Sequence, residues 1–285
     1  MRIAVASGKG GTGKTTVAAN LAKVASQDGW RVVYVDCDVE EPNGHLFLKP
    51  QIEKRLNVGR PVPLVDLSKC TLCGKCSEIC QFSAIISIRD KVLIYPELCH
   101  GCGGCLLVCP EGAISEVSRE IGILEAGKAG SIEFVHGLLN VGEVMSPPLI
   151  REVKAAAPDG DLVIVDSPPG TSCPVIESVR GADFVVMVTE PTPFGLNDLS
   201  LAVEMVRALQ LPCGIVVNRA GLGDRAVYEY CADERLPILG EIPDDRRIAE
   251  AYSRGELACQ TVDGYDVVFA KLLADIVLQE PAPRS

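Results

Sequence analysis

The stretch RIAVASGKGGTGKTTVAANLAKVASQ, residues 2–27, decides the architecture. Arg2 to Ser7 alternate as a short β-branched strand, Gly8 to Thr15 form a loop, and Val17, Leu21, Val24 and Ala25 recur at helical spacing between Thr16 and Ser26. The loop satisfies G-x-x-x-x-G-K-[ST], and it does so between a strand and a helix, where the pattern carries meaning. Its glycines let successive backbone N–H groups turn toward phosphate oxygens, and the helix that follows adds its positive end. Gly8, Gly10, Gly11, Thr12, Gly13, Lys14, Thr15 and Thr16 are therefore the candidate nucleotide-binding residues. Lys14 is expected at the β- and γ-phosphates and Thr15 on Mg²⁺, so ATP with Mg²⁺ is the expected cofactor.

Outward from this unit, 31–36, 161–166, 184–189, 214–218 and 237–241 read as buried strands, with amphipathic stretches at 197–209 and 224–234. The alternation predicts an α/β fold, a mostly parallel sheet covered by helices on both faces. Two of the strands run into carboxylates, Val32 to Val35 into Asp36-Cys37-Asp38 and Leu162 to Val165 into Asp166. Strand ends are where open α/β sheets place ligands. Asp166 is the candidate for holding a Mg²⁺-bound water, and Gly170 can face the γ-phosphate. Asp36 and Asp38 stand two apart on an extended chain, so one can reach the metal through water while the other orients the attacking water.

The 285 residues carry 38 acidic against 27 basic side chains, a formal charge of -11, which argues against a nucleic-acid partner. No apolar run approaches the roughly 18 residues of a membrane span, and the loop follows Ile3 to Ala6 too closely for a signal peptide. A cytoplasmic protein without stable membrane insertion is expected.

Eight of the thirteen cysteines fall between Cys70 and Cys109. A shift of 29 residues takes Cys70, Cys73, Cys76 and Cys80 onto Cys99, Cys102, Cys105 and Cys109, and Gly74 and Ala84-Ile85 onto Gly103 and Ala113-Ile114. This duplication reads as a two-fold pseudosymmetric module inserted in the α/β domain. Both runs have the C-x-x-C-x-x-C-x-x-x-C spacing of two-cluster [4Fe–4S] proteins, with Gln81 where the first run would carry proline. Three thiolates wrap one cubane while the fourth reaches the other, so cluster one takes Cys70, Cys73, Cys76 and Cys109, and cluster two takes Cys99, Cys102, Cys105 and Cys80. Paired C-x-x-C also builds zinc sites, but two consecutive four-cysteine runs suit cubanes better. The expected domains are 1–61 and 119–285 for the two parts of the nucleotide domain and 62–118 for the insertion.

Lys9 makes the loop K-G-G-x-G-K-[ST], and here the chain resembles the deviant P-loop ATPases of the MinD/ParA/Mrp and nitrogenase iron-protein class, over Met1 to about Asn57 and Gly122 to Ala274. The segment from about Val62 to Val117 resembles a two-cluster bacterial ferredoxin, small and α+β. Together they look like the group of such ATPases that contains an inserted ferredoxin domain. The resemblance implies that Lys9 reaches the partner's phosphates across a nucleotide-sandwich dimer, that Asp38 activates water in switch I, and that Asp166 to Gly170 form switch II. It further implies adenine recognition by Asn218-Arg219 and a ribose and base wall at Ile242-Pro243-Asp244.

The implied activity is Mg²⁺-dependent ATP hydrolysis by a homodimer, or by a pair with a similar ATPase. That hydrolysis would be coupled to electron transfer or to iron–sulfur or heterometal cluster assembly on a partner protein. The alternatives are a positional switch like MinD and ParA, and a ferredoxin-type carrier with a regulatory nucleotide domain. Cys173 reads either as a small buried side chain or, by likeness to the nitrogenase iron protein, as a ligand at the dimer interface.

Overall fold

The computed structural model describes residues 1–279. In chain order, β1 (Arg2–Ala6), α1 (Lys14–Gln27), β2 (Val32–Asp36), α2 (Gly44–Leu48) and a long β3 (Gln51–Val65) come first. The cysteine-rich stretch adds α3 (Lys75–Ile79), β4 (Ile85–Ile88), β5 (Lys91–Ile94) and α4 (Gly104–Leu107). Then β6 (Ile114–Ala129) and β7 (Ile132–Leu139) lead to α5 (Pro147–Ala155), β8 (Leu162–Asp166), α6 (Cys173–Val179), β9 (Phe184–Thr189) and α7 (Pro193–Ala208). The chain closes with β10 (Cys213–Ala220), α8 (Ala226–Asp233), β11 (Ile238–Pro243), α9 (Arg246–Ser253), α10 (Ala258–Thr261) and α11 (Tyr265–Val277). The described residues divide into two compact units, one of Met1–Arg55, Leu124–Leu138 and the described residues from Ile150 onward, the other of Leu56–Ile123 and Leu139–Leu149.

In the first unit the sheet order is β11-β10-β9-β1-β8-β2-β7-β6-β3, the last two strands entering it with residues 124–129 and 51–55. β1 lies parallel between β8 and β9, and β2 is parallel to β8 and β7. All of β2, β8 and β9 is buried, as strands covered on both faces must be. Val17, Leu21 and Val24 form the stripe that seats α1, and Phe269, Leu272, Leu273 and Ile276 seat α11, both joining one core with Ile3, Val5, Ile164 and Val186. The fold is α/β with a mostly parallel sheet, as the alternation predicts. Within it Asp36 and Asp166 are register partners, so the two carboxylate-ending strands finish side by side at the end of β1.

The long strands β3 and β6 and the strand β7 are not foreseen by the sequence reading. In β3 the charges of 53–55 and the prolines at 61 and 63 hide an alternation in which Val58, Arg60 and Val62 are buried. Gly122 to Gly130, read as lying past the insertion's exit, falls largely within β6. A Cβ on Gly127 would stand 2.0 Å from the Gln51 carbonyl oxygen, so this glycine permits close strand approach rather than a turn.

The second unit repeats its geometry as it repeats its sequence. Left-handed backbone recurs 29 residues apart at Leu72 and Gly101, at Gly74 and Gly103, and at Ser83 and Gly112. Gly74 and Gly103 start α3 and α4, where φ of 79° and 70° favours glycine. The β4–β5 hairpin pairs Ile85 with Ile94 and Ser87 with Val92 in antiparallel register. Its interior is small, with Val62, Ala84 and Cys99 clustered and Cys80 packed against them.

Candidate nucleotide site and cysteine cavities

The glycine loop between β1 and α1 is held open by its surroundings. Gly13 has φ 95°, and a Cβ there would meet Asn218 Nδ2 at 2.3 Å. That amide donates to the Thr12 carbonyl at 2.7 Å, tying the end of β10 to the loop. A Cβ on Gly8 would come 2.1 Å from the Asp198 carbonyl oxygen, so the loop can pass α7 only as glycine. Gly170 N–H donates to the Ser7 carbonyl at 3.0 Å, which fastens the segment after β8 alongside.

A cavity of about 420 Å³ opens over this loop, within the size range of small-molecule sites. Gly10, Gly11, Gly13, Lys14, Thr15, Thr16 and Asp38 line it, and so do Asn218, Arg219, Pro243 and Asp244. Gly8, Lys9, Thr12, Gly170, Asp36 and Asp166 do not form its lining. Residues that the sequence reading misses complete the wall: Glu41 and Asn43 after β2, Asp245, and Ile248, Ala249 and Tyr252 on α9. The signal for the last group was present, since Asp245 caps α9 by accepting from Arg247 N–H at 2.8 Å and Ile248 and Tyr252 stand one turn apart.

The carboxylates differ sharply in surroundings. Asp36 is fully buried and accepts backbone N–H groups from Asp38 at 3.1 Å and Gly44 at 2.9 Å. It therefore braces the segment that carries Asp38, Glu41 and Asn43. Asp166 is also fully buried; its Oδ2 accepts from the Tyr34 hydroxyl at 2.8 Å, while Oδ1 has no partner. Burial raises the pKa of both groups, next reinforced at Asp36 by Asp166 and opposed at Asp166 by Lys14. Asp38 is pushed up to about 6 by burial, with Lys14 pulling it back. Lys9 Nζ lies 3.6 Å from Glu190 Oε2, and Arg219 Nη1 lies 3.0 Å from the other oxygen of the same carboxylate. Cys173 is exposed, which corrects the expectation of a small buried side chain.

The family model of the CobQ/CobB/MinD/ParA nucleotide-binding domain matches residues 3–258. The chain belongs to this family. It is 32% identical to an uncharacterized protein of Methanocaldococcus jannaschii over 90% of each chain. It is 28% identical to the iron-sulfur cluster carrier protein of Aquifex aeolicus, over 89% of this chain and 60% of that one. In fold it is similar to the septum site-determining protein MinD of Pyrococcus horikoshii complexed with Mg-ADP, with TM-score 0.58, 20% identity and 99% of each chain covered. A P-loop NTPase fold with a nucleotide-binding loop is thus shared across the family. No described helix is long and apolar enough to cross a membrane.

In the second unit of this family member the eight clustered cysteines sort into two cavities. One is lined by Cys70, Cys73, Cys76 and Cys109, the other by Cys80, Cys99, Cys102 and Cys105. All eight are free thiols. Ala84 N–H lies 3.3 Å from Cys80 Sγ and Ala113 N–H lies 3.3 Å from Cys109 Sγ, again 29 residues apart. Gly101 N–H donates to Cys99 Sγ at 3.4 Å. Burial raises the Cys76 and Cys105 thiols, whereas at Cys80 burial is outweighed by the backbone N–H groups of Phe82, Ala84, Ile85 and Ser83, and its pKa falls. Among the described residues no three His, Cys, Asp or Glu side chains are gathered closely enough to hold a single metal ion.

Proposed function

We propose that this chain is an ATP-hydrolysing iron–sulfur protein that works as a nucleotide-dependent dimer and couples ATP turnover to electron delivery or cluster assembly on a partner. The observation that carries the reading is the sorting of the eight cysteines, four and four, into the crossed sets that two cubanes need. A zinc ion with Zn–S of about 2.3 Å would draw four sulfurs tightly together. A cubane binds its thiolates at four separate irons, which suits four cysteines spread around one cavity. Backbone N–H groups aimed at Cys80, Cys99 and Cys109 suit thiolates carrying charge. Two [4Fe–4S] clusters held there would supply one-electron carriers. The residues proposed for the ferredoxin-like insertion, 62–118, lie inside the larger second unit.

On the nucleotide side, the loop amides and Lys14 cradle the phosphates, and Thr15 and Asp166 hold Mg²⁺. The buried, unpartnered Asp166 Oδ1 supports that role, because an orphaned acceptor at full burial is costly unless something donates to it or binds it. Asp36, already committed to two backbone N–H groups, serves by fixing Asp38. Asp38 orients the attacking water, Gly170 faces the γ-phosphate, and Asn218, Arg219, Pro243 and Asp244 receive the nucleoside. Lys9 exchanges Glu190 for the phosphates of a second copy when two chains close over ATP. Thirteen reduced cysteines suit the cytoplasm.

Anaerobically prepared protein should contain about eight iron and eight sulfide per chain and should hydrolyse ATP with Mg²⁺. Stoichiometric zinc without iron would remove the cluster part of the reading, and absence of turnover would remove the hydrolytic part. Lys9→Ala should abolish an ATP-dependent dimer in sedimentation, and a wild-type protein that stays monomeric with ATP would refute the cross-dimer role of Lys9.

A further inference from the structure

The two cysteine sets are duplicates in sequence but not in electrostatics. Ten residues before each four-cysteine run stands an arginine, Arg60 before Cys70 and Arg89 before Cys99. Arg89 is exposed, whereas Arg60 is 1% exposed and among the largest fully buried side chains of the protein. Arg60 Nη2 donates to the Pro96 carbonyl at 3.1 Å and to Glu143 Oε1 at 3.2 Å, while its Nε and Nη1 have no partner. Glu143 is shared with Arg119, whose Nη1 lies 2.9 Å from Oε2. Two guanidiniums thus face one carboxylate, leaving a net positive charge.

That charge lies against one ligand loop. Pro96 opens the turn leading to Cys99, and Cys99 Sγ reaches the Pro61 carbonyl at 4.0 Å. Between Cys99 and Cys102, a Cβ on Gly101 would meet Arg60 Cγ at 3.3 Å and Pro61 Cγ at 3.2 Å. The matching position in the first run is Leu72, which has the same left-handed backbone but keeps its side chain. The other charges at the two cavities, Lys75 and Glu111 at the first and Glu116 at the second, are exposed and therefore screened by water. A buried charge acts through a lower dielectric and keeps its reach.

We infer that Arg60 makes the two cluster sites unequal, so that the cluster held by Cys99, Cys102, Cys105 and Cys80 has the higher reduction potential and is where an electron entering the unit settles. This rests on the two-cluster reading above. A reduced cluster carries one more negative charge than an oxidised one, and a buried cation beside it favours the reduced form.

The test is a potentiometric titration, followed by electron paramagnetic resonance, of the full chain prepared anaerobically. In single-cluster variants, Cys70→Ser should leave a couple at higher potential than the one left by Cys102→Ser. Arg60→Met should lower one couple by at least about tenfold in its reduction equilibrium, about 59 mV for one electron, and leave the other in place. Carried into the Cys70→Ser background the shift should persist, and in the Cys102→Ser background it should vanish. Glu143→Gln, which removes the neutralising carboxylate, should move the same couple upward, and Arg89→Met should move neither. Protein with about eight irons whose second couple lies at or below the first, or whose potentials ignore Arg60→Met and Glu143→Gln, overturns the inference while leaving the two clusters standing. Protein without iron overturns the two-cluster reading itself.

Discussion

The nucleotide loop and the cysteine cavities are stabilised by opposite means. The loop is fixed by what surrounds it: the Asn218 amide on the Thr12 carbonyl, Gly8 packed on α7, and Lys14 buried beneath. Behind it lies an apolar core that includes Ile3 and Val5 on one face of β1 and the seats of α1 and α11. Between 62 and 118 the buried apolar side chains are few, Val62, Ala84, Ile85, Cys99, Ala113 and Ile114, while Leu67, Phe82 and Leu107 are exposed. A chain segment of that size with so little interior needs cross-links or bound metal to stay folded. One site is preorganised by its protein, whereas the other, on the reading proposed above, would draw its order from the clusters its thiols hold.

The largest effect that would break this contrast is loss of the proposed clusters. Chelation and oxidation should make 62–118 fully susceptible to proteolysis, because metal binding free energy is folding free energy in such units. ATP binding and the thermal transition of the first unit should persist. Limited proteolysis beside nucleotide titration checks it, and a metal-free protein that still resists cleavage between Asp66 and Gly112 would refute the contrast.

Next comes Asp38→Ala, which should lower ATP turnover on the order of 10²–10⁴-fold, the usual range for a group that handles the proton of an attacking water. ATP affinity should change little, because Asp38 is proposed to orient water while the loop and Lys14, which line the same cavity, are the groups proposed to grip the phosphates. Steady-state hydrolysis paired with equilibrium binding separates the two. Equal losses in both measurements would place Asp38 among the binding groups instead.

A third effect, smaller again, tests preorganisation directly. Gly13→Ala forces a left-handed backbone worth roughly 1–2 kcal/mol onto an alanine and drives its methyl group into Asn218. ATP affinity should fall roughly tenfold, which corresponds to about 1.4 kcal/mol. Adding Asn218→Ala relieves the collision but leaves the backbone strain and removes the tie to Thr12, so the double variant should not recover wild-type affinity.

What could be read from the sequence follows the same division. The loop was legible because backbone N–H groups do its work and glycine is the only residue that allows their geometry. The parallel strands other than β7 were legible because burial on both faces makes them largely apolar. The eight-cysteine pattern was legible as a repeat, and its members line two cavities, four in each. Illegible were β3 and β6, whose interior positions include Arg60 and whose exposed positions are charged, so that no clean alternation survives. Glu190 was missed as the partner of Lys9 because it follows β9, far along the chain, and nothing local marks it. The inequality of Arg60 and Arg89 could not be read at all, since burial and not identity separates them.

The smallest effect concerns the proton on Asp38. Burial holds this carboxyl at about 6 in the free protein, above its ordinary value of 3.8. Only the ionised form can accept a hydrogen bond from the attacking water and draw off its proton, and kcat/KM reports the free protein's pKa. With the group half-ionised near its pKa, kcat/KM for ATP should be about twofold below its plateau at about pH 6 and fall further on acidification. The sign for stability is the reverse. A carboxyl whose folded value is raised stabilises the fold most below about 3.8, and that contribution is lost as the pH rises through about 6. The site therefore gains activity over the same interval in which this group's contribution to stability declines. Glu40 raises the Asp38 pKa by repulsion, more weakly than burial or Asp166 does, so Glu40→Gln should move the activity limb slightly toward acid without changing the plateau. A pH profile of kcat/KM for both proteins measures it. A limb that lies near 4, or one that Glu40→Gln moves toward base, would mean that Asp38 is not the group whose ionisation governs turnover.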